Sequence, residues 1–394
     1  MSKFKLAGLL VGVAAIIAIS YFITSQQPAR PEPANRPNAD TAIAFWQGRV
    51  AQNPNSFLDY TLLAEAYARK ARETGDVSYY QRADAALRRA LEINPNYVQA
   101  SATLSSVLFS MHDFEGALAL AEPLADNPRA TQALAVTGDT QLALGNYDEA
   151  EAAYQKLAAL GPGPGLYSRQ AIWAELHGDR DQALSLMQQA ADLAWQAGDY
   201  RESLAWCDFQ LGELNFKSGK LKEAEAHYET ANQTFANNYL ALAGLGKVRA
   251  AQGRYDEAIK LYEQAVAIIP QPDLLAALGD LYTVTGQPDK AKLQYDTVEF
   301  IGQLAEINKV VYNRQLALFY ANHDLNVAKA LRLAQNEIVT RKDIYGYDAL
   351  AWALYKNGRY AKAAEAMEQA TKLGTHDAML YYHAGMIYEA TGDR

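Results

Sequence analysis

The sequence predicts an all-α solenoid built from antiparallel helix pairs, on the strength of three observations. Alanines recur in one frame: Ala83, Ala117, Ala150 and Ala183 lie 34, 33 and 33 residues apart, and Ala224, Ala258 and Ala291 lie 34 and 33 apart. A glycine precedes the alanine in each clear unit, so one helix stops and a second begins shortly after it. Hydrophobic residues make up 50% of the chain and charged residues 21%, which excludes a mostly disordered protein. A period of this length means a stacked array, in which each pair buries its apolar face against the next.

The chain starts with something else. Lys3 and Lys5 precede an uncharged apolar run from Leu6 to Thr24. As a helix this run rises about 28 Å, close to the hydrocarbon thickness of a bilayer. A secretory core is shorter, roughly 7–15 residues, and ends at a small-residue cleavage site. The exit here, Ser20-Tyr21-Phe22-Ile23-Thr24-Ser25, has no Ala-x-Ala and offers only a weak Ile23-x-Ser25 site. Residues 1–24 are therefore expected to be one transmembrane anchor, with a cleaved signal as the alternative. Residues 25–40 hold four prolines and no large apolar side chain, and read as a semi-extended linker. Residues 41–394 are the expected solenoid.

Its clearest unit runs from Tyr239 to Pro270: a first helix through Leu242, Gly246 and Val248, then Gly253, then Asp256-Glu257-Ala258, Tyr262 and Ala265. Small residues at Gly246 and Ala258 allow the two helices to cross closely, and the acids suit the start of the second helix. The same frame returns in Gly138…Gly145…Ala150…Tyr154…Pro162, in Gly212…Gly219…Ala224…Tyr228, in Gly279…Gly286…Ala291…Tyr295, and in Ala351…Gly358…Ala363…Met367. Looser copies centre on Ala83, Ala117, Ala183 and Ala328.

This pattern resembles the tetratricopeptide-repeat (TPR) family, whose period is about 34 residues with small and aromatic residues at these spacings. The resemblance implies a right-handed superhelix of about nine units plus a final half-repeat, whose concave groove binds a peptide or helix of another protein. Joined to the apolar N-terminal run, it implies a bacterial single-pass protein of the cytoplasmic membrane, with its repeats on the periplasmic or extracellular side; secretion after cleavage is the alternative.

Departures from the frame are expected to fall in connections. The 41-residue interval from Ala183 to Ala224 marks one near Ala194–Glu202, and the interval from Ala291 to Ala328 a smaller one near Gly302–Lys309. Tyr67 stands sixteen residues before Ala83, so Glu73–Tyr80 reads as an insertion that lengthens the first pair. Gly161-Pro162-Gly163-Pro164-Gly165 reads as a helix terminator, because no strand precedes it and no Gly-Lys-Ser/Thr follows. The last residues read as a tenth first helix, Ala378–Ala390, which is either a cap, a partner surface or the edge of a longer array.

No catalytic constellation, cofactor motif or metal-binding pattern is found. The six histidines form no His-x-x-x-His pair, and the single cysteine, Cys207, excludes a disulfide framework. A net charge of −9 argues against nucleic acid as a partner. The expected activity is therefore protein binding. Inward positions, taken from the register of the resemblance, are Asp139, Glu175, Trp206, Phe209, Glu213, Phe216, Lys247, Asp273 and Asp280, then Tyr320, Tyr345, Asp348, Trp352, Tyr355, Tyr382 and Glu389. An acidic groove with aromatic platforms suits a partner segment carrying Lys or Arg between apolar residues; the alternative for each aromatic is packing between repeats. Chaperone-tail-binding TPR proteins use a basic groove, which these positions do not provide. Self-association as a homo-oligomer of the cell envelope is the alternative function, followed by small-molecule binding or a regulatory subunit.

Overall fold

A computed structural model of the protein describes residues 36–128, 130–308 and 313–392. Among them there are twenty α-helices, one short 3-10 turn and no strand. A single helix, α1 (Ala39–Gln52), comes first. Nine pairs follow: α2 (Phe57–Thr74) with α3 (Ser78–Ile93), α4 (Val98–Ser110) with α5 (Phe114–Ala121), α6 (Thr131–Leu144) with α7 (Tyr147–Ala159), and α8 (Pro164–Leu176) with α9 (Arg180–Ala197). Next come α10 (Arg201–Lys217) with α11 (Leu221–Thr234), α12 (Tyr239–Ala251) with α13 (Tyr255–Ile268), and α14 (Pro272–Val284) with α15 (Pro288–Asn308). The series ends in α16 (Asn313–Asn322) with α17 (Val327–Thr340), α18 (Ile344–Lys356) with α19 (Tyr360–Thr371), and the lone helix α20 (Ala378–Thr391).

The repeated small residues explain the pairing. Ala83, Ala117, Ala150, Ala183, Ala224, Ala258 and Ala363 are all fully buried near the start of a second helix. On the facing first helix, an added Cβ at Gly212 would stand 2.5 Å from the Tyr228 ring, and at Gly246 it would stand 2.8 Å from the Tyr262 ring. Close-packed interiors leave no room for that carbon, so glycine fixes how near the two axes come. Helix starts are secured locally: the carboxylates of Asp113, Asp179 and Asp343 each accept a backbone N–H three residues on.

Three expectations change. The long intervals are absorbed as helix rather than as connection: α9 has 18 residues, α10 has 17 and α15 has 21, against 13 or 14 in most other helices. The Glu73–Tyr80 insertion does lengthen the first pair, whose helices α2 and α3 run to 18 and 16 residues with a short turn between them. In the eighth pair the buried alanine is Ala330, while Ala328 is exposed. The turn before α17 carries Asp324 and Asn326 in left-handed backbone, φ 53° and 39°, and has four residues against three in most other pairs. The placement as a single-pass membrane protein is also corrected: no helix among the described residues is long and apolar enough to cross a membrane. The run Leu6–Thr24 and most of the proline-rich stretch lie outside the described residues.

The solenoid winds back upon itself after six pairs. The backbone N–H of Ile344 donates to the Tyr147 hydroxyl at 3.1 Å, 197 residues away. Arg180 donates to the His376 carbonyl across 196 residues, and the Thr375 hydroxyl to the Leu176 carbonyl across 199. Gly75 lies against Gln271 and Tyr239, Gly145 against Lys342, and Gly178 against Gly374. Turns inside the early pairs thus meet the loops between later pairs along one seam. A second crossing joins the α9–α10 corner to the N-terminal pair: Arg36 Nε donates to the Gly198 carbonyl at 2.7 Å, and Arg72 pairs with Glu202 at 2.9 Å.

Candidate functional site: the inward-facing groove

Three of the expected inward acids share one construction. Asp139, Glu213 and Asp280 each follow the glycine on which a tyrosine ring rests, and that tyrosine, fifteen residues on, donates its hydroxyl to the acid. The distances are 2.9 Å from Tyr154, 2.6 Å from Tyr228 and 2.7 Å from Tyr295. Burial, then the adjacent carboxylate, raises all three phenols, Tyr295 to about 12.

A base from the following repeat then closes each group. Arg169 Nη2 reaches Asp139 at 2.6 Å, Lys247 Nζ reaches Glu213 at 2.8 Å, and His323 Nε2 lies 2.7 Å from Asp280. Glu175 is held in the same way by Lys217 at 2.6 Å. Asp139, Glu175 and Glu213 of the acidic stripe are therefore paired in place, and Asp280 is paired when His323 is protonated, so an incoming Lys or Arg at these acids would have to displace an internal base. The sequence signal for this, an acid fifteen residues before a tyrosine with a base in the next repeat, was present but is meaningful only once the helices are paired.

The aromatic positions divide. Tyr320 is fully buried: its carbonyl accepts from Leu325 as that of Tyr282 accepts from Gln287, which puts it at a core position of its helix, where its hydroxyl takes a hydrogen bond from Lys329. Trp352 is buried, donates through Nε1 to Asn322 at 2.8 Å, and stacks between Tyr355 and His383 at 4.9 and 4.2 Å. Asp348 is buried against His383 at 2.8 Å. These three act in packing between repeats. Phe209 and Phe216 are half-buried beside Tyr228 and Leu245. Tyr345 is half-buried, with burial lifting its phenol to about 12. Tyr355 is half-buried, while Tyr382 stands 55% exposed on α20. Trp206 is different, since it borders open space on two sides.

That space is a series of three cavities. The first, about 440 Å³, is walled by Trp46, Glu65, Arg69, Thr103, Ser106 and Tyr200. The second, about 470 Å³, is walled by Glu202, Trp206, Phe235 and Tyr239, and shares Arg72 and Tyr80 with the first. The third, about 290 Å³, lies between Phe109, Leu142, Ile172 and Arg341, and shares Trp206 with the second. Arg69 is buried in the wall of the first cavity with its Cζ 4.1 Å above the Tyr200 ring and its Nε 3.6 Å from the Glu73 carboxylate. Sequence reasoning found Trp206 and Asp139 here but missed Trp46, Arg69, Tyr80, Phe109 and Tyr200. Tyr200 reaches the groove only because the α9–α10 corner crosses it. No group of three or more His, Cys, Asp or Glu side chains that could hold a metal occurs among the described residues.

Profiles described as tetratricopeptide repeat match residues 64–97, 103–163, 216–279, 249–308 and 344–377. Among curated proteins, the chain is 24% identical over 206 residues to the Protein CTR9 homolog of Arabidopsis thaliana, covering 50% of this chain and 18% of that protein. It is 27% identical over 190 residues to human Protein O-mannosyl-transferase TMTC1, covering 46% and 21%. The chain thus spans about a fifth of the length of the curated relatives it matches. Among solved structures, the human IFIT1 dimer with PPP-AAAA superimposes with a TM-score of 0.51 at 15% identity, covering 85% of this chain and 77% of that one; the likeness is one of fold. Together the profile matches span more than half of the sequence and fall on the helix pairs described above: the chain belongs to the tetratricopeptide-repeat family.

Proposed function

We propose that this chain is a non-catalytic scaffold that recruits a protein partner by laying an extended segment of it along the inward face. The observation that carries the reading is the linked row of cavities, joined at Arg72 and Tyr80 and again at Trp206. A row of pockets with shared walls suits successive side chains of one extended strand better than a single compact ligand. Family membership supports the same reading, since stacked helix pairs present long concave surfaces for partners.

The chemistry favours apolar and aromatic anchors over the basic ones expected from the sequence. Trp206, Tyr80, Phe235 and Tyr239 supply rigid contact area around the central cavity. The neighbouring carboxylates already hold their own cations. Specificity would then come from ring packing and from hydrogen bonds to Arg69 and the hydroxyls of Thr103 and Ser106.

The test compares affinity purification by wild type and by Trp206→Ala from the source cells, followed by mass spectrometry. An aromatic anchor at the centre of an interface is worth about 2–4 kcal/mol, so recovery of a true partner should fall at least about 30-fold. Equal recovery by both proteins, with helicity unchanged in each, would remove the groove from the mechanism.

A further inference from the structure

The charges along the three cavities do not balance. Among the described residues, five carboxylates and four guanidinium groups wall them. Each guanidinium has its acid: Arg169 reaches Asp139 at 2.6 Å, Arg72 reaches Glu202 at 2.9 Å, Arg341 reaches Asp343 at 3.4 Å, and Arg69 lies 3.6 Å from Glu73. The fifth acid, Glu65, pairs with no cation among the described residues; it accepts a hydrogen bond from the Gln99 side chain at 3.2 Å.

The fold builds this imbalance. Glu65, Arg69 and Glu73 stand four residues apart on α2, so both acids are within helical reach of the one arginine. Arg69 goes to Glu73, with its Cζ over the Tyr200 ring, and Glu202 from the same α9–α10 corner takes Arg72. Glu65 is left half-buried in the wall of the first cavity. Burial holds its carboxyl above the usual carboxylate range, against the opposite pull of the Gln99 bond. A half-buried acid without a cation is unfavourable, and a cation brought to it offsets that cost. The same cavity receives three hydroxyls from one face of α4: Thr103, Ser106 and Ser110. Ser106 stands eleven residues before Ala117, as Asp139, Glu213 and Asp280 stand before Ala150, Ala224 and Ala291. Fifteen residues on from Ser106 is Ala121 in place of the tyrosine, so no phenol takes up its hydroxyl.

We infer that the partner's extended segment sets a Lys or Arg side chain on Glu65, about two residues along the strand from the apolar anchor that fills the Trp206 cavity. The spacing follows from the shared wall at Arg72 and Tyr80, since side chains on one face of a strand stand about 7 Å apart. The carboxylate of Glu65 and the hydroxyls of Thr103 and Ser106 are acceptors enough for an ammonium or the tip of a guanidinium. An acidic side chain fits worse, because it would have to break one of the two arginine pairs and would also meet Glu65. The inference rests on the recruiting reading above and adds to it one basic position, in the first cavity alone.

The experiment selects random peptides displayed on phage against the full chain and measures the enriched peptides by fluorescence anisotropy on wild type, Trp206→Ala and Glu65→Gln. Gln at 65 still accepts the Gln99 bond, so the fold is kept, and circular dichroism checks it. The expected peptides carry Lys or Arg two places from Trp, Phe or Leu. Close charge pairs at interfaces couple strongly enough that Glu65→Gln should weaken their binding about tenfold or more. Replacing the peptide's own basic residue by Ala, which leaves the protein untouched, should cost wild type as much and Glu65→Gln almost nothing further. Peptides that need Trp206 but show no basic preference, prefer an acid there, or bind Glu65→Gln as well as wild type overturn this inference and leave the recruiting reading standing. Peptides that bind Trp206→Ala as well as wild type overturn both.

Discussion

At Gly212 a hydrogen occupies the place where any other residue would set a carbon against the Tyr228 ring, while at Gly385 the same position faces open space. The two glycines should therefore respond to the same substitution with opposite sign. Gly212→Ala forces a buried ring to move and should destabilise by about 1–3 kcal/mol, the usual range for overpacking. Gly385→Ala adds no contact and removes a poor helix former, and should stabilise its helix by about 0.5–1 kcal/mol. Urea unfolding midpoints of the two variants, measured at a concentration where the chain is monomeric, check both; equal shifts would contradict the packing argument. The ring that fixes Gly212 also ties down the groove acid beside it. Tyr228→Phe keeps the ring and leaves Glu213 with Lys247 alone, and should cost about 1–2 kcal/mol, as for a hydrogen bond to a charged group that is partly exposed. A loss within error would mean that water replaces the phenol at no cost.

The helix pairs are legible in the sequence because close crossing demands small residues at fixed places, and such residues recur whatever else changes. Ala150, Gly212 and Tyr262 could be placed from spacing alone. Tyr320 could not, since the alanine that sets its frame is Ala330 rather than Ala328 and the turn between is one residue longer than usual, which together place it in the core. The groove was half legible: the inward position of Asp139 and Glu213 follows from register, but their pairing with Arg169 and Lys247 depends on how one pair stacks upon the next. Two histidines show what such stacking does to a single element. His112, in the α4–α5 turn, is pushed down to about 4 by burial and then by the charges of Arg341 and Arg314 from the other side of the seam. Its folded form stays neutral while the unfolded chain takes up a proton near 6.5, so its stabilising share is complete above that value and is lost as the pH falls towards 4. His323 is affected by burial, which would lower it, but its hydrogen bonds to Asp280 and to the Phe319 carbonyl outweigh this and raise it. Its share is present below 6.5 and is lost as the pH rises through the raised value. His112→Asn, which tolerates the left-handed backbone at this position, should therefore make the chain less sensitive to acid between about pH 7 and about pH 5. His323→Gln should make it more sensitive; unfolding midpoints at the two pH values give the sign of each.

Over the whole molecule, the seam decides how tightly the solenoid is wound, and nothing in a 34-residue frame announces it. Contacts 196 to 199 residues apart arise only from the sum of many small rotations between pairs. Gly145 and Gly253 separate this effect from local strain. Both occupy the turn inside a pair, with φ of 78° and 73°, and in both an alanine would pay the penalty of left-handed backbone, about 1 kcal/mol. Gly253 has nothing within 4 Å, whereas a Cβ at Gly145 would strike the Lys342 carbonyl of the next turn. Gly145→Ala should then push the two turns apart, and Gly253→Ala should not. Small-angle X-ray scattering of the monomer reads the difference as a larger radius of gyration for the first variant alone, with helicity equal in both. Because Arg341 walls the third cavity from across the same seam, opening it should also widen the inward face near Trp206. Equal radii for the two variants would mean that the solenoid holds its pitch through the stacking of adjacent pairs, and that the seam only records it.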